Sequence, residues 1–338
     1  MSNKIQFVWR FLDELTLPVT LNHVSMTEEQ LKDLQNFKEL IRYLKQLSDD
    51  GVSSALEKSI IQMLDNTIPF FAHLVLEDEF KEIHRLTINK RVLGENKRIR
   101  DIKYLKYPPE DKVSKYGRCN YPHQSVLYSS FLGFTAMNES QPRVGDLITE
   151  SKWRLKKNQT LLYCPIFKNQ PLHDVVNIRS FEINKIFKKK LKEYPKFEQE
   201  KIDVLVQFIA DVFTKIVNPN NHYDYIFSSY FSNKIFNDFE NGTIEAIYYP
   251  SVKERLSFEN LAIKPDVFDK KYELIEVKDS VCQVDVTNGR GGYLFHGLSD
   301  CKSFDYASGK ILWDEEKIHQ SPSTLQDLKR RYGVNLEV

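Results

Sequence analysis

Five side chains of complementary chemistry are spread over the middle of the sequence: Arg85, Arg118, Tyr128, Glu139 and Ser251. A guanidinium binds pyrophosphate oxygens through two parallel hydrogen bonds, and a tyrosine ring offers a flat face to a nicotinamide. A carboxylate beside an anomeric carbon stabilises the positive charge that develops there as the base departs. These residue types are therefore suited to binding a dinucleotide and breaking its glycosidic bond.

Each of these residues also has an ordinary structural interpretation, and the sequence leaves that alternative open. Arg118 follows a glycine and could cap a turn, whereas Tyr128 could be a core aromatic residue. Glu139 could be a solvated helix residue, and Ser251, directly after a proline, fits turn chemistry. It is the ordered combination, rather than any single residue, that favours a catalytic site.

Three of the five residues lie in one stretch, 118–139, whose pattern predicts a turn, an apolar strand and the start of a helix. Upstream, residues 81–88 alternate in a way that predicts a strand carrying Arg85. Downstream, residues 244–249 and 258–263 predict two further strands, the first of which precedes the serine. A strand-to-helix unit with charged residues at its ends is a common way for α+β enzymes to present a site.

The periodicity of the chain predicts how it divides into domains. Apolar residues at three- and four-residue spacing indicate a small all-helical domain at residues 1–78 and a helical insertion at about 185–238. The insertion interrupts a mixed catalytic domain at residues 79–290, and residues 291–338 form a C-terminal extension. The expected fold class is therefore α+β.

Two local patterns add detail to this division. Thr27 with Gln30 fits the capping box that starts a helix. Residues 144–155 and 160–166 are strand-like and are separated by a short polar turn, so we expect them to form an antiparallel hairpin.

Composition limits the classes of partner. Lys and Arg total 48 against 47 for Asp and Glu, and the net charge of +1 provides no overall field for nucleic acid or an anionic membrane. The four cysteines are far apart without a CxxC pair, so we expect no metal site, no disulfide framework and a reduced, cytoplasmic compartment. The N-terminal segment lacks the apolar core of a signal peptide. Because no apolar run approaches the ~20 residues that span a bilayer, we expect a soluble protein.

The ordered set of residues resembles the RES domain, a family with an ADP-ribosyltransferase-like fold that is named for its Arg, Glu and Ser. The resemblance covers about residues 80–270, most of the chain. The segments that carry it are Ile83-His84-Arg85, Gly117-Arg118-Cys119-Asn120, Leu127-Tyr128-Ser129, Thr135-Ala136-Met137-Asn138-Glu139, Tyr249-Pro250-Ser251 and Asn260-Leu261-Ala262.

The resemblance implies an NAD-consuming enzyme. The family has NAD-degrading members that act as toxins, release nicotinamide by hydrolysis or phosphorolysis, and are neutralised by a cognate antitoxin. By position, Arg85, Tyr128, Glu139 and Ser251 match catalytic residues of the family. NAD would be a substrate, and no cofactor is expected.

The resemblance also implies how NAD would be bound. Arg85 and Arg118 would hold the diphosphate, Tyr128 would orient the nicotinamide riboside, and Asn260, a weaker match, would complete the pocket. An antitoxin and a second copy of the chain are the candidate protein partners, in toxin–antitoxin control or phage defence. Two alternatives remain open, namely an ADP-ribosyltransferase that modifies a macromolecule and a non-catalytic interaction protein with a degenerate pocket.

The chain departs from a minimal family member in two places. A basic loop lengthens the segment between Arg85 and Tyr128, and the helical insertion precedes Ser251. The N-terminal helices are similar to helical domains of the HEPN group, whose active members are ribonucleases with an Arg-x4-His motif. Arg118 and His123 have this spacing, but the intervening proline opposes a helix there. We therefore expect the helical domain to have a structural or docking role.

Overall fold

A computed structural model of the chain describes residues 6–11, 25–68, 70–170, 177–218, 220–285, 292–314 and 318–336. Within these ranges the strands are β1 Gln6–Phe11, β2 Phe70–Asp78, β3 Glu82–Ile88, β4 Leu127–Ser130, β5 Leu147–Leu155, β6 Leu161–Pro165, β7 Ala246–Pro250, β8 Glu259–Ile263, β9 Tyr272–Val284, β10 Leu294–Cys301, β11 Phe304–Asp305 and β12 Lys310–Ile311. The helices there are α1 Glu28–Asp49, α2 Glu57–Thr67, α3 Asn89–Leu93, α4 Gly133–Ser140, α5 Ile178–Leu191, α6 Lys196–Thr214, α7 Ile226–Asn233, α8 Pro265–Lys271 and α9 Pro322–Tyr332.

The α+β class expected from the sequence is confirmed, because the chain combines helices with strands that pair mostly antiparallel. The chain divides into two compact units, each made of three segments. Unit 1 comprises Met1–Asp78, Pro109–Val126 and Leu161–Phe258, and unit 2 comprises Glu79–Pro108, Leu127–Thr160 and Glu259–Val338. None of the described helices is both long and apolar enough to cross a membrane.

Unit 1 combines a mixed sheet with five helices in its described residues. Its strands lie in the order β1-β2-β6-β7, and β6 and β7 are parallel. Thr27 forms the predicted capping box at the start of α1. The backbone N–H of Gln30 donates to the Thr27 hydroxyl over 3.2 Å, and the backbone N–H of Thr27 donates to Gln30 Oε1 over 3.0 Å. Helices α5, α6 and α7 lie where helical periodicity predicts the insertion.

The prediction that residues 1–78 are all helical is wrong, because two strands lie in this segment. Strand β2 follows α2 and pairs with β1 on one side and β6 on the other. Leu74, Val75 and Leu76 in β2 are buried. A fully buried strand has a continuous apolar sequence, and periodicity alone does not distinguish such a sequence from a buried helical segment.

Unit 2 is built around an antiparallel sheet with strand order β8-β4-β3-β5-β9-β10. Helix α4 packs on this sheet through a core of Leu86, Ile88, Ala136 and Ile148. Helix α9 lies against a second core that includes Leu147, Val281 and Leu298. The strands predicted to carry Arg85 and Tyr128 are both present, as β3 and β4.

The predicted hairpin of residues 144–155 and 160–166 is wrong in its pairing, although both strands form. Strand β5 pairs with β3 and β9 in unit 2, whereas β6 pairs with β2 and β7 in unit 1. The connection Lys156-Lys157-Asn158-Gln159 carries no Gly-based two-residue turn of the kind that brings adjacent strands together. Proximity in sequence therefore does not determine the partners of these strands.

A buried ion pair links the strands of unit 2. Arg98 Nε donates to Asp279 Oδ2 on β9 over 2.9 Å, and its Nη2 donates to Ser299 Oγ on β10 over 2.5 Å. Thr149 Oγ1 on β5 donates to the other Asp279 oxygen over 2.7 Å, while Trp313 stacks on the guanidinium. Burial raises the pKa of Asp279, and Arg98 opposes this effect. Three adjacent strands thus depend on one charged cluster.

Removing the Asp279 carboxylate is expected to destabilise the protein strongly, because the variant Asp279→Ala leaves the Arg98 cation buried without a partner. We expect a loss of about 3–5 kcal/mol in the free energy of unfolding, measured by urea denaturation followed through tryptophan fluorescence. The control is Asp327→Ala, which removes exposed ion pairs with Arg330 and Arg331 and should have no measurable effect. Equal stability of the two variants would contradict a structural role for the buried pair.

Candidate functional site

The strand-to-helix unit predicted around Tyr128 and Glu139 is present in unit 2 as β4 followed by α4. Helix α4 ends at Ser140 and is followed by Gln141, whose backbone is left-handed with φ of 49°. The next residue is a proline, which disfavours continuation of a helix beyond the residue before it. The short helix therefore places Glu139 in its last turn.

Glu139 is held in place by the buried side chain of Asn260. Asn260 Nδ2 donates to Glu139 Oε1 over 2.7 Å, and Ser130 Oγ lies 2.6 Å from Asn260 Oδ1. A carboxylate only accepts hydrogen bonds, so the Asn260 NH₂ group must face Glu139 and the Ser130 hydroxyl must donate. Asn260 is 2% exposed, while Glu139 lies at the surface. The result is a carboxylate that is fixed in orientation and accessible from outside.

Arg85 on β3 is a partly buried cation that no carboxylate balances within the described residues. Its Nη1 donates to the Tyr128 carbonyl over 2.8 Å, and its Nε is buried without a hydrogen-bond partner. Burial lowers the pKa of Arg85 to about 10, and the nearby Tyr128 hydroxyl opposes this effect. The guanidinium remains charged at neutral pH, so it retains the capacity to bind an anion.

Arg118 lies in unit 1, where its guanidinium binds the end of a helix. Its Nη1 donates to the Phe213 carbonyl and its Nη2 donates to the Lys215 carbonyl over 3.3 Å, at the C-terminus of α6. The carbonyls in the last turn of a helix have no partner within the helix. Tyr225 also lies under the guanidinium, with 5.2 Å from its ring centroid to Cζ. In this position Arg118 acts as a helix cap.

Ser251 also lies in unit 1, directly after β7, and is fully buried. Its hydroxyl accepts from the Glu254 amide over 3.3 Å, while its own amide donates to the Phe258 carbonyl over 2.7 Å. The carbonyl of Ser251 accepts from the backbone N–H of Leu256. Leu256 has a left-handed backbone with φ of 68°. The geometry is that of a turn closed by a serine hydroxyl.

Four of the six predicted site residues lie within unit 2, in two hydrogen-bonded pairs, Arg85 with Tyr128 and Asn260 with Glu139. These are Arg85, Tyr128, Glu139 and Asn260, on β3, β4, α4 and β8. Tyr128 is half-buried and pairs with Ala262 of β8. The roles assigned to the six residues remain predictions.

Three polar residues beside these four were not singled out in the sequence: His84, Ser130 and Glu150. Ser130 pairs with both His84 on β3 and Asn260 on β8, so the three side chains share one face of the sheet. His84 Nδ1 lies 2.8 Å from Glu150 Oε1. Period-two alternation after Tyr128 could have indicated Ser130, whereas no local motif marks Glu150.

A separate cavity of about 550 Å³ lies in unit 2 and contains none of the six predicted residues. Its lining includes the aromatic residues Trp153, Phe268, Tyr272 and Tyr306. Two of its acidic residues already bind lysines, as Lys106 pairs with Asp269 and Lys310 pairs with Asp101. We assign the candidate site to β3, β4, β8 and α4 instead. No cluster of His, Cys, Asp and Glu suited to a metal ion occurs in the part of the chain that the structure describes.

Comparison with known proteins does not extend this description. No model of a protein family matches the sequence, and a search of curated proteins gives no match either. The resemblance to the RES domain therefore depends on six short segments between Ile83 and Ala262.

Replacing Asn260 by alanine is expected to destabilise unit 2, because the buried Ser130 hydroxyl loses its acceptor and Glu139 loses one hydrogen-bond donor. The expected loss is about 1–3 kcal/mol in the free energy of unfolding, measured by urea denaturation. Asn66→Ala on the exposed face of α2 is the matched control and should not lower stability. A double-mutant cycle with Ser130→Ala should show coupling between the two positions, and purely additive effects would contradict the hydrogen bond.

Proposed function

We propose that the chain is an NAD-consuming enzyme with an ADP-ribosyltransferase-like catalytic domain, and that it cleaves the bond between nicotinamide and ribose. One observation carries this proposal: a fixed, accessible carboxylate and a cation without a carboxylate partner lie on neighbouring elements of unit 2. NAD has a diphosphate that needs a cation and an anomeric carbon that becomes positively charged as nicotinamide leaves. The two protein groups meet these two needs.

Arg85 is the proposed diphosphate-binding residue. Burying a cation costs free energy that an opposite charge recovers when it is close and well hydrogen-bonded. The Tyr128 carbonyl offers only a partial negative charge, and the buried Nε still lacks an acceptor. A diphosphate oxygen would supply both the charge and the acceptor, which is why this guanidinium favours a phosphate-bearing ligand.

Glu139 is the proposed catalytic carboxylate. Its negative charge stabilises the transition state more than the ground state, because the ribose carries the developing positive charge only in the transition state. Asn260 holds one oxygen of the carboxylate, so little reorientation is needed during the reaction. The half-buried ring of Tyr128 would stack against or orient the nicotinamide riboside.

Loss of NAD halts metabolism, so an active enzyme of this kind would inhibit growth. This is consistent with the toxin or phage-defence role that the RES resemblance implies, in which a cognate antitoxin restrains the enzyme. Arg118 and Ser251 lie in unit 1, where each binds backbone atoms, and they are assigned no step in the proposed chemistry of unit 2.

A non-catalytic binding protein is the second candidate function. Two of the expected site residues, Arg118 and Ser251, make hydrogen bonds that suit a purely structural role. Calorimetry with NAD separates the candidates at the first step, since a protein with a degenerate pocket would give no heat of NAD binding.

The variant Glu139→Gln is expected to lose at least about 100-fold in kcat, in the range found when one preorganised electrostatic group is removed. The amide keeps the size of the side chain and can still accept from Asn260, so the fold should be unaffected. Nicotinamide release from NAD by the purified protein is the measurement. Glu254→Gln, in the turn after β7 in unit 1, is the control. Wild-type activity in Glu139→Gln would exclude the carboxylate from the reaction.

Alanine variants of the two arginines are expected to differ in kind. Arg85→Ala should raise the KM for NAD by about 10-fold or more, since a charge-assisted hydrogen bond contributes about 1.5–3 kcal/mol. Arg118→Ala should instead lower the melting temperature, because the α6 carbonyls lose their donors, and should leave KM nearly unchanged. Steady-state kinetics and thermal unfolding of both variants test this difference. A large rise in the KM for NAD in Arg118→Ala would show instead that Arg118 contributes to NAD binding.

A further inference from the structure

His84 and Glu150 form a polar pair beside the candidate site. His84 Nδ1 lies 2.8 Å from Glu150 Oε1, and each side chain is 19% exposed. Both residues lie in unit 2 on adjacent strands, β3 and β5. Partial exposure allows a water molecule to reach the imidazole.

The position of the Glu150 carboxylate is fixed by close packing. A Cβ atom at Gly133 would lie 2.3 Å from Glu150 Oε1, so the space that a side chain would fill is occupied by the carboxylate. A glycine at the start of α4 permits this approach. The carboxylate is thereby held where it can orient the His84 ring.

The pairing determines which imidazole nitrogen can act as a base. An ionised carboxylate accepts hydrogen bonds and cannot donate, so Nδ1 of a neutral His84 carries the hydrogen in this pair. Nε2 then has a free lone pair and is the basic nitrogen. This is the carboxylate–histidine arrangement that orients a general base.

The register of the sheet places this base in one row with Asn260, the residue that holds the catalytic carboxylate. His84, Ser130 and Asn260 occupy paired positions on β3, β4 and β8, and Asn260 holds Glu139. Adjacent strands are about 4.8 Å apart, so His84 and Asn260 are separated by about 10 Å at the backbone.

We propose that His84 is the general base of the reaction and that water is therefore the acceptor. This rests on the proposed function. The C1′–N bond breaks, and its electron pair moves to the nicotinamide nitrogen, which changes from positively charged to neutral. The oxygen of water forms the new bond to C1′, and the proton of that water moves to His84 Nε2. The products are ADP-ribose, neutral nicotinamide and one proton, which His84 releases to solvent.

This assignment distinguishes water from anionic acceptors. Water must lose a proton as it attacks, so a base accelerates its reaction, by typically about 10²–10⁴-fold. Azide and a phosphate dianion are already anions and lose no proton when they attack, so they need no base. Loss of His84 should therefore slow hydrolysis selectively and leave capture by an anion largely intact.

The test compares the products that wild type and His84→Asn form from NAD at a fixed concentration of azide. The asparagine NH₂ group can still donate to Glu150, so the contact is retained while the basic nitrogen is lost. We expect the ratio of ADP-ribose to the azide adduct, measured by chromatography, to fall at least about 10-fold in the variant. The control is Arg154→Gln. Arg154 lies on the same strand as Glu150, and its side chain binds Glu82 at the surface. This variant should keep the wild-type product ratio.

The outcomes separate the two proposals. An unchanged product ratio in a folded His84→Asn protein would overturn the role of His84 and leave NAD cleavage standing, as would equal losses of both products. Absence of nicotinamide release from wild type, with water or azide, would overturn NAD cleavage itself and the base assignment with it. Nicotinamide release from wild type that requires phosphate would also overturn water as the acceptor.

Discussion

The antiparallel register of β8, β4 and β3 is the constraint on which the candidate site depends. Pairing of Ser130 with Asn260 on one side and His84 on the other sets three polar side chains in a row on one face of the sheet. A shift of one residue in any of these strands would move its side chain to the opposite face. The position of Glu139 follows from this register, because its hydrogen-bond partner is the buried Asn260.

Two arginines of unit 2, the buried Arg98 and the partly buried Arg85, show how the same residue type can serve stability or binding. Arg98 has a carboxylate, a hydroxyl and an aromatic ring around its guanidinium, and it connects the segment between α3 and β4 to β9 and β10. Arg85 has only a backbone carbonyl, and its Nε lacks an acceptor. A sequence folds most stably when every buried polar group is satisfied, and departures from that rule are concentrated at functional sites. One guanidinium nitrogen of each residue lacks an acceptor, Arg98 Nη1 and Arg85 Nε, but of the two only Arg85 also lacks a carboxylate partner among the described residues.

Local structure around the site could be predicted from sequence because it depends on local signals. Alternation predicts β3, and an apolar strand followed by a helix pattern predicts β4 and α4. Strand partners depend on contacts between distant residues, so the pairing of β5 with β9 could not be read from its neighbours in sequence. The link from Ser130 through Asn260 to Glu139 joins residues 130 and 121 positions apart, and no spacing rule covers such distances.

Arg118 shows why residue type and local motif do not decide a role. It occupies the turn before β4, where the RES resemblance implies a phosphate-binding arginine, yet its donors bind carbonyls about one hundred residues further along the chain. Helix α6 ends there because Lys215 adopts an extended conformation with ψ of 135°, which leaves the last carbonyls without intrahelical donors. Binding a phosphate would require Arg118 to give up these acceptors. Arg85 would gain an acceptor for its Nε instead, so the free energy of ligand binding favours Arg85 as the residue that holds an anion.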